Sequence, residues 1–300
     1  MPTVIENGVV RMVKPNFFII GAPKCGTTAM SEYLRSHPDV FFSNPKEPHY
    51  FSNDLVTKYR VSSESEYLSL FSGASGKKVI GEGSVHYLQS KTALRKIMEF
   101  NPSARFVAMV RNPVDLAYSW HSEARYTEGE TVKNFMEAWR LQPDRIAGNG
   151  IPSGCKDSRL LHYSEVASVG DQLCRAIETV GRDRIKIIIF DDFIHDSRVV
   201  YRDVLDFLGL DDDGRDSFPV INDSKIVKSE KMMRLGHFVA RTKKRFGITS
   251  GTGLLEFLNV SKKKREALPV DFRRELVAHF LPQVEKVEAL LGRQLPAWRF

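Results

Sequence analysis

The stretch FFIIGAPKCGTT, Phe17 to Thr28, decides how the rest of the chain is read. Its four apolar residues, Phe17 to Ile20, suit a strand buried on both faces, and Gly21 breaks the run. Ala22, Pro23, Lys24 and Cys25 carry the chain round to Gly26. From there Thr27 to Arg35 has helical spacing, with Ala29, Met30, Tyr33 and Leu34 inward. A strand, a glycine-flanked loop and a helix N-terminus aim backbone N–H groups, the positive end of a helix dipole and the Lys24 ammonium at one point. Such a point suits a phosphate. A nucleoside-triphosphate loop reads G-x-x-x-x-G-K-[ST], with lysine directly after the second glycine. Gly21 and Gly26 keep that spacing, yet position 27 is Thr and the lysine lies inside the loop. The apolar strands downstream also lack a clear Mg²⁺-holding Asp. The pattern argues for a different phosphate ester.

Working outward, further apolar runs at Val79–Ile80, Arg105 to Val110 and Ile185 to Phe190 read as strands, separated by amphipathic helices. That alternation predicts an α/β fold, P-loop-like and three-layered, with a central, mainly parallel sheet flanked by helices. After Arg105 to Val110, Asn112 is a good N-cap and Pro113 a good first helical residue. Ser119 follows Asn112 by close to two turns, so Arg111 and Ser119 can converge on one anion, the arginine offering a fork of donors. Thr131 to Leu141 is expected to be a helix, Gln142 to Ser158 a Gly/Pro/Asn-rich loop long enough to gate a site, and Leu160 to Val180 largely helical. Pro282 is expected to kink or split the last helix, from Asp271 on.

Composition sets the bounds. Three hundred residues, 42% of them hydrophobic, can bury a large core, and no linker interrupts the middle, so one domain spanning 1–300 is expected after a polar lead-in over 1–15. The formal charge of +7 and a pI near 9.2 suit an anionic ligand, and would equally suit nucleic acid. The three cysteines, Cys25, Cys155 and Cys174, form neither a CxxC pair nor an even framework, which speaks against a disulfide scaffold or a zinc site. No metal site is expected. Neither a signal-peptide pattern nor an apolar run of about 18 residues occurs, so no membrane association is expected.

Pro23-Lys24-Cys25-Gly26-Thr27-Thr28 resembles the 5′-phosphosulfate loop of sulfotransferases that use 3′-phosphoadenosine 5′-phosphosulfate (PAPS). Arg105 to Tyr126, RFVAMVRNPVDLAYSWHSEARY, resembles that family's 3′-phosphate motif, a strand ending in Arg-Asn-Pro followed by a helix with Ser eight residues after the Arg. Lys46-Glu47-Pro48-His49-Tyr50-Phe51 is similar to the K-E-x-H-[FY]-F segment of the heparan sulfate enzymes, and Gly81-Glu82-Gly83-Ser84-Val85-His86-Tyr87-Leu88 to a G-E-x-S-x-x-Y-L stretch of the same relatives. The resemblance covers nearly the whole chain and is most specific at 17–51 and 105–126.

The resemblance implies sulfuryl transfer from PAPS to a hydroxyl, or an amine, of a carbohydrate or natural product, releasing 3′-phosphoadenosine 5′-phosphate (PAP). Glu47 would be the general base with His49 beside it, and Lys24 would neutralise charge on the leaving phosphate. Lys24, Cys25, Gly26, Thr27 and Thr28 would hold the 5′ end of the cofactor, Arg111 and Ser119 its 3′-phosphate. A basic run before the last helix, including Lys263, Lys264 and Arg265, would close over that phosphate. Glu82 would either help the acceptor site or satisfy backbone N–H groups. A carboxylate of unperturbed pKa ~4.3 is a weak base for an alcohol, so Glu47 is expected to need partial burial or orientation by His49. The lack of an anchor implies a bacterial or cytosolic enzyme acting in the cytoplasm on a small-molecule or glycan acceptor, without nucleic acid or membrane partners; oligomeric state is not encoded legibly. Two other classes compete: a P-loop kinase-like phosphotransferase using ATP and Mg²⁺, and a non-catalytic basic nucleic-acid-binding protein.

Overall fold

The structure, a computed structural model of the 300-residue chain, describes residues 3–6, 9–57, 59–127, 129–221, 226–227, 260–261 and 266–300. Residues 1–219 with 270–300 form one compact unit and 220–269 a second. The first unit opens on a hairpin, β1 (Thr3–Glu6) antiparallel to β2 (Val9–Met12), where the sequence suggested only a polar lead-in.

A five-stranded sheet forms the centre. Its strands are β3 (Phe17–Gly21), β4 (Val40–Phe42), β5 (Val79–Gly83), β6 (Arg105–Val110) and β7 (Ile185–Ile189), in the order β4-β5-β3-β6-β7 with every neighbouring pair parallel. Phe17 to Ile20 of β3 are fully buried, as expected where helices cover both faces of a parallel sheet. The chain leaves β3 for one edge of the sheet and later places β6 on its other side. The carboxyl ends of β3 and β6 therefore flank the crevice where open α/β sheets take ligands. The phosphate-loop candidate follows β3 and Arg111 follows β6.

The helices are α1 (Thr27–Arg35), α2 (Glu64–Ser69), α3 (Ala93–Phe100), α4 (Pro113–Tyr126), α5 (Phe135–Arg140), α6 (Gln142–Ile146), α7 (Tyr163–Val166), α8 (Val169–Val180), α9 (Phe190–His195), α10 (Ser197–Leu208) and α11 (Val270–Leu291). The caps explain the boundaries that matter here: the Asn112 side chain accepts from the Val114 N–H with Pro113 at the first position of α4, and Gly209, in the left-handed region, ends α10. In the second unit, β8 (Ile226–Val227) pairs antiparallel with β9 (Val260–Ser261).

Four local expectations change. Residues Thr131 to Asn134 are not helical: the Glu130 carboxylate accepts the Thr131 and Val132 N–H groups, and α5 starts only after the Asn134 cap. The expected loop after Leu141 begins instead as α6, with Pro143 in its first turn. The largely helical stretch from Leu160 to Val180 is divided into a 3₁₀ turn, α7 and α8. Pro282 does not split α11, which runs through it. Lys263, Lys264 and Arg265 lie outside the described residues.

Candidate active site

The loop after β3 needs glycine at both ends. A Cβ on Gly21 (φ 133°) would lie 2.3 Å from the Val85 carbonyl oxygen, and one on Gly26 (φ 82°) about 3 Å from the Phe190 and Phe193 rings. Between them Lys24 is held at φ 62°, a conformation that non-glycine residues rarely adopt and that tends to mark functional loops. The Ala22 N–H donates to the Met109 carbonyl at 2.6 Å, which extends the β3–β6 pairing into the loop. The Cys25 thiol is fully buried, pushed up to about 12 chiefly by that burial, and donates to the Pro23 carbonyl at 3.3 Å. Cys25 thus offers a ligand its main chain, while Thr27 and Thr28 stand at the first turn of α1.

Arg111 emerges from β6 directly beside this loop. Its Nη1 donates to the Lys24 carbonyl at 3.3 Å, its guanidinium lies 4.9 Å from the centre of the Phe190 ring, and its buried Nε has no hydrogen-bond partner. Arg111 and Lys24, predicted to grip two ends of one ligand, are therefore neighbours. Ser119 lies on α4 as expected and is buried. The Lys24 ammonium itself pairs with Glu123, farther along α4, at 2.8 Å.

On the other side of the loop, Lys46, Glu47 and His49 converge. Lys46 Nζ lies 3.3 Å from Thr27 Oγ1 and 3.2 Å from Glu47 Oε1, and His49 Nε2 lies 3.2 Å from Glu47 Oε2. His49, also at positive φ (51°), is fixed by its own N–H donating to Ser84 Oγ at 3.0 Å. The expected orientation of Glu47 by His49 is present. The expected help from burial is not: desolvation does push the carboxyl up, but the His49 hydrogen bond and the Lys46 and His49 charges outweigh it and bring Glu47 down to about 2.

Glu82 behaves in the opposite sense. It is fully buried, accepts from Ser84 Oγ at 2.9 Å and lies 3.4 Å from the Tyr67 hydroxyl, and burial raises it to about 8 despite Tyr87, Ser84 and the Lys46 charge pulling it down. Of the two roles considered for it, backbone capping is replaced by hydroxyl partners: Glu82 holds Ser84, and Ser84 receives the His49 N–H. His86, whose ring lies 5.6 Å from that of His49 and 5.2 Å from that of Trp120, is lowered to about 4 by burial first and by the His49 charge second, so it stays neutral near pH 7. Tyr163, at the start of α7, is buried and donates to Glu130 at 2.6 Å. Lys46, Glu123 and Ser84 are the contributors that sequence reasoning did not assign. Among the described residues no cluster of three or more His, Cys, Asp or Glu could hold a metal ion, and no helix is long and apolar enough to cross a membrane.

An anion-binding loop, a second cation beside it and a carboxylate–imidazole pair across from it make a site for moving an anionic group onto an acceptor that gives up a proton. Known proteins agree with this chemistry. Residues 14–237 match a family described as "Sulfotransferase domain". Human carbohydrate sulfotransferase 15 is 31% identical over 150 residues, covering 35% of this chain and 26% of its own, and mouse bifunctional heparan sulfate N-deacetylase/N-sulfotransferase 3 is 26% identical over 124 residues, covering 40% and 14%. The chain thus spans about a quarter or less of the length of these curated relatives. The solved structure of a sulfotransferase from Alicyclobacillus acidocaldarius superposes with a TM-score of 0.71 at 29% identity, over 96% of this chain and 100% of that one. With the family match spanning most of its length, the chain belongs to the sulfotransferase family.

Proposed function

We propose that the protein transfers the sulfuryl group of PAPS to a hydroxyl of a carbohydrate acceptor, with Glu47 as the base. The observation that carries this reading is the hydrogen bond from Arg111 to the Lys24 carbonyl, which makes two cationic cradles contiguous and able to serve both ends of one bisphosphorylated nucleotide. The donor set fits such a ligand: an ammonium, a guanidinium with an unpartnered buried Nε, threonine hydroxyls and the N-terminus of a nine-residue helix.

The low pKa of Glu47 is compatible with its role as base. Sulfuryl transfer, like phosphoryl transfer, passes through a loose in-line transition state, and the acceptor proton becomes acidic only as its oxygen bonds to sulfur. A carboxylate held ionised and aimed by His49 can take that proton late. Lys24 would neutralise charge as the bond to the leaving phosphate oxygen breaks. The carbohydrate acceptor is supported by the relatives named carbohydrate and heparan sulfate sulfotransferases. Isothermal titration with PAP and separately with ATP and Mg²⁺ tests the donor. Micromolar binding of PAP with little response to ATP and Mg²⁺ is expected, and the reverse preference would remove the proposal in favour of a phosphotransferase.

A further inference from the structure

We infer that Lys46 is a second catalytic lysine, which stabilises the sulfuryl group in flight while Lys24 serves the leaving phosphate. The inference rests on the reading above and concerns the residue adjacent to the proposed base. In a triphosphate-binding loop, the ammonium that meets the transferred group comes from the lysine directly after the second glycine. Here that place is Thr27, and the ammonium beside its hydroxyl belongs to Lys46, on a segment nineteen residues away, at 3.3 Å.

Lys46 is set there by its surroundings. Its carbonyl accepts the Gly83 N–H at 3.2 Å, tying the residue to the end of β5, and its stem passes so close to Gly83 that a Cβ there would lie 3.4 Å from Lys46 Cε. Only 13% of the side chain is exposed. The stem is thus packed, and the charged end points between the loop and the base rather than into solvent. Nor is the ammonium neutralised one-to-one, because its carboxylate partner Glu47 also accepts from His49. Lys24, by contrast, is paired with Glu123 of α4. The two ammonium groups thus hold different partners around one loop, Lys46 beside Thr27 and Glu47, Lys24 beside Glu123.

In the reaction, the acceptor oxygen bonds to sulfur as the bond from sulfur to the 5′-phosphate oxygen breaks. That electron pair leaves on the phosphate of PAP, and the hydroxyl proton goes to Glu47. The nonbridging sulfuryl oxygens give up part of their negative charge in a loose transition state but keep the rest, and they reach the gap between Thr27 and Glu47 that Lys46 spans only as the group moves toward the acceptor. A cation fixed there stabilises the transition state more than the bound nucleotide, which places its effect on turnover.

The test uses the whole chain, with transfer of labelled sulfate from PAPS to desulfated heparan chains and to simple glycosides, and with PAP binding measured alongside. Lys46→Met is expected to lower kcat by about 10²- to 10³-fold, as for loss of one transition-state donor, with KM for PAPS and Kd for PAP changed by less than about threefold. Lys46→Arg should restore at least a tenth of wild-type turnover, since it returns a cation at that place. A cooperative urea transition certifies that the variants fold; if Lys46→Met lacks one, Lys46→Gln replaces it with the same expectation. A kcat within threefold of wild type in the folded variant overturns the inference and leaves the PAPS reading intact. So does a loss of turnover accompanied by an equal loss of PAP affinity. Wild-type protein that neither transfers sulfate nor binds PAP overturns the PAPS reading, and the role of Lys46 with it.

Discussion

The protein contains two carboxylate–cation clusters of similar composition and opposite fate. At the crevice, Glu47 meets Lys46 and His49 with 37% of its side chain exposed. Behind α4, Glu130 meets Arg145 through two hydrogen bonds, at 2.6 and 2.9 Å, and Tyr163 through a third, with both ionic side chains at 0% exposure. The second cluster has every carboxylate lone pair directed at a donor of its own chain: besides Arg145 and Tyr163, the Thr131 and Val132 N–H groups point to it. Such a carboxylate can accept nothing more. Glu47 has the same kind of partners, yet an open side. What separates a site from a structural staple here is one unused face toward solvent, not the residue types.

The sharpest way to break this contrast is to remove each carboxylate. Glu47→Ala should lower sulfate transfer by roughly 10²- to 10⁴-fold, the range for loss of a general base, with PAP affinity within a few-fold. Glu130→Ala leaves the Arg145 guanidinium buried without its partner and should cost about 3–5 kcal/mol of stability, read as a lower urea midpoint. A Glu47→Ala enzyme retaining a tenth of its turnover would remove Glu47 as base. An unshifted midpoint in Glu130→Ala would show that water replaces the carboxylate and that the second cluster is no staple.

Glu82 lies between these extremes, buried like Glu130 but partnered by hydroxyls rather than by a bidentate cation, and its pH behaviour sharpens the comparison. With its folded value near 8 and an ordinary value of 4.5, the folded state binds its proton more tightly than the unfolded state. The associated stability is complete below about pH 4.5 and is lost as pH rises through 8. Glu47, lowered to about 2, works the other way: its contribution is present above 4.5 and lost as pH falls through 2. Glu82→Gln should therefore flatten the fall in urea midpoint between pH 5 and 8 and gain on wild type toward the alkaline end. A variant whose pH profile parallels that of wild type would mean that Glu82 ionises freely in the fold.

The same contrast shows what was legible in the sequence. The central strand, the loop and α1 follow from Phe17 to Arg35, because apolar runs and glycine placement are local signals; so does the Asn112–Pro113 cap that carries Arg111. The K-E-x-H segment named Glu47 and His49, but a motif does not state where an ammonium points. The contact of Lys46 with Thr27 depends on β5 drawing the Lys46 carbonyl to Gly83. Lys24 and Glu123 are 99 residues apart, and nothing in the helical period of α4 selects Glu123 over its neighbours. The Glu130–Arg145 pair was hidden because Pro143, Gly148 and Asn149 gave the composition of a loop to what begins as α6, and because a buried charge is recognisable only once its partner is seen.

The smallest effect, and the one that probes the open cluster most directly, concerns Glu123. In this structure it occupies the ammonium of Lys24, about a third of each side chain being exposed, so a nucleotide phosphate must compete with it for that cation. Exposed pairs of this kind are worth about 0.2–1 kcal/mol, so Glu123→Gln should tighten PAP binding by up to about fivefold. The variant keeps a hydrogen-bond acceptor for Lys24 but removes the competing charge. Titrations at rising salt separate this from a packing effect: a competing exposed charge is screened, so the advantage of the variant should shrink as ionic strength increases, whereas a repacked loop would hold a constant difference. An affinity that falls in Glu123→Gln would mean that Glu123 orients Lys24 toward the phosphate instead of competing for it.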